Sequence, residues 1–236
     1  ETTLFSRDAI TRAVLVVSHR TRRRPERITD VNDGIVAVAG MGLGLAGAEV
    51  SAATSYMVIS VSTLVGAMSV FGAKLGESFA DREAQQATVD YERSRIERTP
   101  EEEIAELADW FEAKGVTPQT ARAVAEELSE ADALSAQLEI EYGLRDLTTP
   151  SDAWQDGLWA GLAFVLGALV PLLIAVLVPI NWRSEWTILA ATLALILTSV
   201  VLSVLGRSRI WMTIARSVIV GLGTLGVSYA LGDWLL

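Results

Sequence analysis

Apolar residues in this chain come in long blocks separated by charged stretches, and the blocks are too long for the core helices of a soluble domain. Gly157–Pro179 is almost continuously apolar, and at about 1.5 Å per residue it reaches roughly 35 Å, enough to cross a bilayer. Trp186–Leu205 and Ile210–Leu231 have the same character. The block from Gly34 to Gly76 is too long for one span and is interrupted at Thr54-Ser55-Tyr56. It predicts two helices, Gly34–Ala53 and Tyr56–Gly76, joined by a very tight turn. Glycines 40, 42, 44 and 47 suit the first of these to close helix–helix approach in lipid. The pattern predicts an all-α membrane protein with five transmembrane helices and a helical insert between the second and third.

Within the insert, Glu77 to Arg98 contains no Gly or Pro, so the second span is expected to continue as one long helix. Thr99-Pro100-Glu101-Glu102-Glu103 reads as a helix start, with a capping Thr, Pro in the first turn and acids at the positive dipole end. Gly115 is the expected C-cap of that helix. Thr117-Pro118 opens another that runs to about Leu128, and Glu130–Tyr142 forms the last, closed by Gly143. The organisation that follows is an N-terminal segment 1–32, transmembrane helices 1–2 over 33–76, an acidic helical domain over 77–152, and transmembrane helices 3–5 over 153–236.

Composition narrows the chemistry. Of 236 residues, 51% are hydrophobic and 20% charged, and there is no cysteine and one histidine, His19. Disulfides, thiolate metal sites, histidine-based zinc sites and catalytic triads are thereby excluded within one chain. Nucleophile-elbow and glycine-rich phosphate-loop patterns are absent as well, so no enzyme is expected. Any metal must be held by carboxylates, carbonyls, hydroxyls or thioethers. The net charge of −10 is uneven: residues 77–156 carry roughly three times as many acids as bases, whereas Arg20, Arg22, Arg23, Arg24 and Arg27 cluster before the first span. That cluster is expected to sit beside lipid headgroups, with no role in binding nucleic acid. No short apolar core with a cleavage site follows it, so no secretory signal peptide is expected. Arg207, Arg209 and Arg216 flank the last turn, while the third-to-fourth turn has only Arg183. The positive-inside rule then puts the N-terminus, the insert and the last turn in the cytoplasm. Trp154, Trp159, Trp182, Trp186, Trp211 and Trp234 fall near span ends, where an interfacial aromatic belt would put them. The preference for Arg, the lack of Cys and a pI of about 4.7 suggest a prokaryotic cell membrane.

The order of short motifs adds a resemblance. Asp33-Gly34 opens the first span, Gly66-Ala67-Met68-Ser69 lies in the second, and Pro100–Glu103 follows the long helix. Glu141-Tyr142-Gly143-Leu144 closes the insert, Gly167 and Pro171 lie in the third span, and Gly221 and Tyr229-Ala230-Leu231-Gly232 in the last. From about residue 27 to 234 the chain resembles the vacuolar iron transporter family, whose members move Fe²⁺, and often Mn²⁺, out of the cytosol. The resemblance implies a homodimer with five spans per subunit, exchange of metal for protons, and a cytoplasmic metal-binding helical domain. It implies no tightly bound cofactor; Fe²⁺ or Mn²⁺ is the ion carried or bound.

The same resemblance supplies candidate residues. Asp33 matches a pathway Asp in the first span, but the family's pathway Glu and Met fall on Ser62 and Val70. Its metal-binding glutamates fall on Glu92, Glu103 and Glu106, one falls on Arg95, and a methionine pair falls on Gln137 and Leu138 before the retained Glu141. Asp81 fills a further acidic position. Loss of thioethers shifts such a site toward hard oxygen ligands.

Read from the residues alone, each candidate has an alternative. Asp33 is either a helix N-cap at the interface or a pathway carboxylate. Glu49, expected deep in the first helix, either snorkels at the outer mouth or assists the cation on the exit side. Met41, Met57 and Met68 serve as packing or as soft ligands. The insert glutamates form solvated faces or, where three apart like Glu103 and Glu106, share a cation. Arg93, Arg95 and Arg98 pair some of them. Two functions follow: a proton-coupled exporter of divalent cations, or a non-transporting scaffold or metal buffer on the same fold.

Overall fold

The structure, a computed structural model, describes residues 7–206 and 208–235, with side chains from position 27 onward except at position 180. The arginine cluster 20–24 and Arg207 therefore lie outside the described side chains. Seven α-helices are described: α1 (Arg7–Gly47), α2 (Ala52–Arg98), α3 (Pro100–Ala113), α4 (Pro118–Tyr142), α5 (Pro150–Leu177), α6 (Arg183–Gly206) and α7 (Ile210–Leu235), with a short 3₁₀ turn at Ile180–Trp182. Five contain a stretch long and apolar enough to span a membrane: Arg27–Gly47, Ala52–Arg98, Pro150–Leu177, Arg183–Gly206 and Ile210–Leu235. No strand occurs among the described residues. The chain is an all-α integral membrane protein.

Two compact units divide it: Glu1–Lys74 with Asp156–Leu236, and Leu75–Gln155. In the membrane unit α1 is the central helix. One of its stripes, Ile35, Ala39 and Leu43, packs with Ala191, Leu195 and Leu225 of α6 and α7. Another side presents Val38 to Ile59 and Ala67 of α2 and to Phe164, Ala168 and Ala175 of α5. Glycine sets the spacing. A β-carbon on Gly34 would overlap the Phe164 carbonyl oxygen, and one on Gly167 would overlap that of Val31, so α1 and α5 meet backbone to backbone. In lipid, where hydrophobic drive between helices is weak, such close contact is what holds a pair together. Outward-facing Leu64, Leu166, Leu197, Ile219 and their neighbours stay exposed, which suits lipid as solvent.

Two boundaries differ from expectation. Asp33 does not cap α1, because the helix runs through it from Arg7 to Gly47. Next to it, the Asn32 side chain accepts a hydrogen bond from the Thr198 hydroxyl on α6. The first turn falls at residues 48–51 and not at Thr54-Ser55-Tyr56. Glu49 takes the left-handed conformation there (φ 53°), and Ser51 caps α2 by accepting from the Thr54 N–H at 3.3 Å. Local capping chemistry thus outweighs the polar look of the later triplet. At the far end of α5, Arg183 donates to the Tyr56 hydroxyl at 2.7 Å, joining the starts of α6 and α2.

The insert packs α3 against α4 through Leu107, Ala108, Ala121 and Ala125, with Ile104, Phe111, Leu128 and Ile140 around them. Pro100 stands in the first turn of α3 and Thr99 at its N-cap as expected, but the Thr99 hydroxyl makes no capping bond and turns back to the Arg95 carbonyl at 3.3 Å. Lys114 is the C-cap residue, and Gly115 follows it at φ 94°. Gly143 closes α4 at φ 67°, with the Leu144 N–H bonded to the Leu138 carbonyl at 2.8 Å. Asp132 is non-helical inside α4 (φ −165°, ψ 88°), so the break expected between Leu128 and Glu130 falls a few residues later. Thr148 is tied to Gln85 of α2 by two hydrogen bonds, of 2.8 and 3.2 Å.

Candidate functional site

Carboxylates gather at one place in the insert. Glu92 and Arg95 lie three apart on one face of α2, Glu103 and Glu106 three apart on α3, and Glu141 near the end of α4. Glu92 and Glu103 are fully buried, at 0% and 3% exposure, while Glu106 and Glu141 are exposed. The Arg95 guanidinium stands among all of them. Its Nη2 lies 2.7 Å from Glu103 Oε1 and 2.8 Å from both carboxylate oxygens of Glu106. Its Nη1 lies 3.6 Å from Glu92 Oε1 and 3.9 Å from Glu141 Oε2. Tyr142 donates its hydroxyl to Glu92 Oε1 at 2.7 Å, and Gln137, buried, donates its side-chain amide to the Glu103 carbonyl at 2.7 Å.

The electrostatics follow. The Glu106 hydrogen bond and the surrounding carboxylates hold Arg95 firmly charged. Burial pushes the Glu103 carboxyl up against the opposing pull of Arg95, and burial with the Glu92 bond pushes the Tyr142 phenol up. Beside this cluster, Glu101, Glu103, Glu126 and Glu130 line a cleft of about 420 Å³ with Arg122. Arg122 is itself paired with Glu101 at 2.9 Å and Glu126 at 2.6 Å.

The remaining candidates are scattered. Asp33 is exposed on α1 in line with Ala37 and Met41, four residues apart on the side that neither core occupies. Glu49 is exposed in the α1–α2 turn and so lies after the helix, not deep within it. Asp81 is exposed on α2. Ser62 is half-buried, and Val70 packs against the Ala67–Phe164 core. Met57 and Met68 are exposed. Glu92, Glu103, Glu106 and Glu141 are therefore brought together, but around an arginine. Among the described residues no group of three or more Asp, Glu or His side chains is arranged to hold a metal ion.

Sequence reasoning missed three features. Asp30 is buried in the membrane unit one turn before Asp33, a position hidden by its place ahead of the apolar run. Ser199 and Ser203 of α6 are buried with hydroxyls lacking hydrogen-bond partners, and their four-residue spacing was the available signal. Tyr142 as the partner of Glu92 had no signal at all, since fifty positions separate them.

Comparison with known proteins adds a family. The chain is 27% identical to a "Vacuolar iron transporter" of Acanthamoeba castellanii over 172 residues, 73% of this chain and 62% of that protein. It is 27% identical to "Vacuolar iron transporter 1" of Eucalyptus grandis over 79% of this chain and 73% of that one. It is 30% identical to "Vacuolar iron transporter 2" of Oryza sativa subsp. japonica over 72% and 70%. The chain thus spans about two thirds of the length of these relatives. The profile of the VIT family matches residues 26–233, taking in the first described span, the carboxylate-bearing insert and the last three helices together, and the chain belongs to that family.

Proposed function

We propose that this chain moves a divalent metal cation, Fe²⁺ or Mn²⁺, out of the cytosol in exchange for protons, acting as a homodimer. The observation that carries the proposal is Asp33, a carboxylate exposed, among the described residues, on an α1 face within the span Arg27–Gly47, where its exposed neighbours Ala37 and Met41 are apolar. An acid facing lipid is costly and calls for a partner, a cavity or a cation. A second copy related by a twofold axis would supply the cover and a second Asp33, and two carboxylates match a divalent ion in charge and in hardness. Each carboxylate can take a proton when the metal leaves, which is the chemistry of antiport. Relatives named for iron transport support the cargo. The positive-inside rule, with Arg209 and Arg216 at the last turn, supports a cytoplasmic N-terminus and insert, and composition supports a prokaryotic cell membrane. The insert's exposed acids, Asp81, Glu106 and Glu141 among them, would raise the cation concentration around the insert itself.

The test is cation flux in proteoliposomes with Fe²⁺, Mn²⁺, Co²⁺ and Zn²⁺, with and without a proton gradient. Gradient-driven flux of Fe²⁺ or Mn²⁺ is expected in the wild type, falling roughly tenfold or more in Asp33→Asn. A second reading, a non-transporting scaffold, is favoured by Ser62 and Val70 where the family has Glu and Met. A flat response to all four cations from a folded dimer would establish it.

A further inference from the structure

We propose that Arg95 is the resident cation of the insert, its guanidinium taking the place between α2, α3 and α4 that a divalent metal would otherwise need. The inference is independent of whether the membrane unit transports. Glu103 and Glu106, expected to share a cation because they lie three apart, do share one: Nη2 of Arg95 sits 2.7–2.8 Å from Glu103 Oε1 and from both oxygens of Glu106. Oxygens that converge on a metal must approach to about 2.0–2.6 Å of a common point, and here that volume is filled by a nitrogen. Among the described residues Arg95 is the one cation within 4 Å of any of the four glutamates. Two of them, Glu92 and Glu103, are buried, and a buried carboxylate without a counter-charge is strongly disfavoured. The guanidinium cannot lose its proton to become a ligand, so it and a metal exclude one another.

The neighbouring side chains suit this arrangement. Tyr142 adds a hydrogen bond to the Glu92 carboxylate and Gln137 one to the Glu103 backbone carbonyl, and neither supplies a soft ligand. Helices from three parts of the insert are thereby tied by an internal ion pair whose strength does not depend on metal supply. The insert of this chain is held in its folded arrangement with or without divalent cations.

Mn²⁺ is the probe, added to the full-length chain in detergent, with thermal unfolding and electron paramagnetic resonance of bound Mn²⁺ as readouts. In an Asp33→Asn background, which removes the cation site proposed in the membrane unit, the unfolding temperature is expected to be the same in EDTA and in excess Mn²⁺, and adding Glu103→Gln is expected to leave Mn²⁺ binding unchanged. In Arg95→Ala, unfolding in EDTA should occur at lower temperature, and Mn²⁺ should restore it by roughly 5 °C or more through a site that Glu103→Gln then removes. Arg95→Lys, which keeps the charge, should fold and respond to Mn²⁺ no more than the chain with Arg95 does. The proposal is overturned if Mn²⁺ stabilises the wild type in a manner abolished by Glu103→Gln. It is equally overturned if Arg95→Ala binds no more Mn²⁺ than the wild type. Should Arg95→Ala not fold, the wild-type and Arg95→Lys comparisons decide alone. Loss of transport in the Asp33 variant bears on none of these readouts.

Discussion

Asp132 interrupts α4, and its side chain immediately restarts the helix. Its Oδ1 accepts from the Ser135 N–H at 3.0 Å and its Oδ2 from the Ser135 hydroxyl at 2.6 Å. These bonds hold the Asp132 carboxyl below its ordinary value of 3.8. A depressed carboxyl contributes stability that is fully present above the unfolded value and is lost as pH falls through the folded one. Asp132→Ala is therefore expected to destabilise the insert by about 1 kcal/mol at neutral pH. That penalty should shrink as pH drops below 3.8. Urea unfolding of the two proteins at neutral and acidic pH measures it, and an equal gap at both would show that the carboxylate is not the capping group. Arg95 gives the same lesson with more partners. Its pairing with Glu92 was visible at a spacing of three, whereas its contacts with Glu103, Glu106 and Glu141 depend on three helices meeting.

Among the elements, the α1–α5 pair depends on residues without side chains. Gly167→Ala places a methyl group into the Val31 carbonyl, so the helices must separate, and a loss of about 1–3 kcal/mol is expected. Gly72→Ala on α2 meets nothing within 4 Å and removes a helix-weakening glycine. Thermal unfolding of the two variants in the same detergent should move in opposite directions, or the second not at all. A fall of equal size in both would mean that the loss does not come from the α1–α5 crossing, since Ala favours the helix at either position. The glycine-dense look of the first span already suggested close packing. Which glycines matter was not visible: Gly42 has only ordinary contact with Ile59, while Gly34, Gly47 and Gly232 are closely covered by backbone.

For the whole molecule, the exposed line of Asp33, Ala37 and Met41 sets the prediction about assembly. Ala37 is small enough to let a second helix come close at the middle of that line. The chain has no cysteine, so a single Ala37→Cys is a clean reporter. If the two copies meet along α1 about a twofold axis, the two introduced thiols approach one another. A disulfide-linked dimer should then form on mild oxidation and show on a non-reducing gel. A chain that stays monomeric in bilayers, with the same thiol reactive toward a lipid-soluble reagent, would mean that lipid covers this face. It would remove the support that the Asp33 pathway draws from a second copy.

The five apolar stretches, the uninterrupted α2, the helical insert and its closing glycines were legible because they rest on local rules: length against bilayer thickness, periodicity, and positive φ at Gly115 and Gly143. Turn position was less so: the chain breaks at residues 48–51, where Glu49 takes a positive φ and Ser51 caps α2, and not at the more conspicuous polar triplet Thr54-Ser55-Tyr56. What tertiary structure alone decided is where charge ends up. It put Glu49 in a turn, Asp30 in the interior, and an arginine at the focus of the insert's glutamates. The reason is that the energy of a charge depends on burial and on neighbours a few ångströms away. Those neighbours come from segments tens of residues apart, a distance over which neither periodicity nor composition carries information.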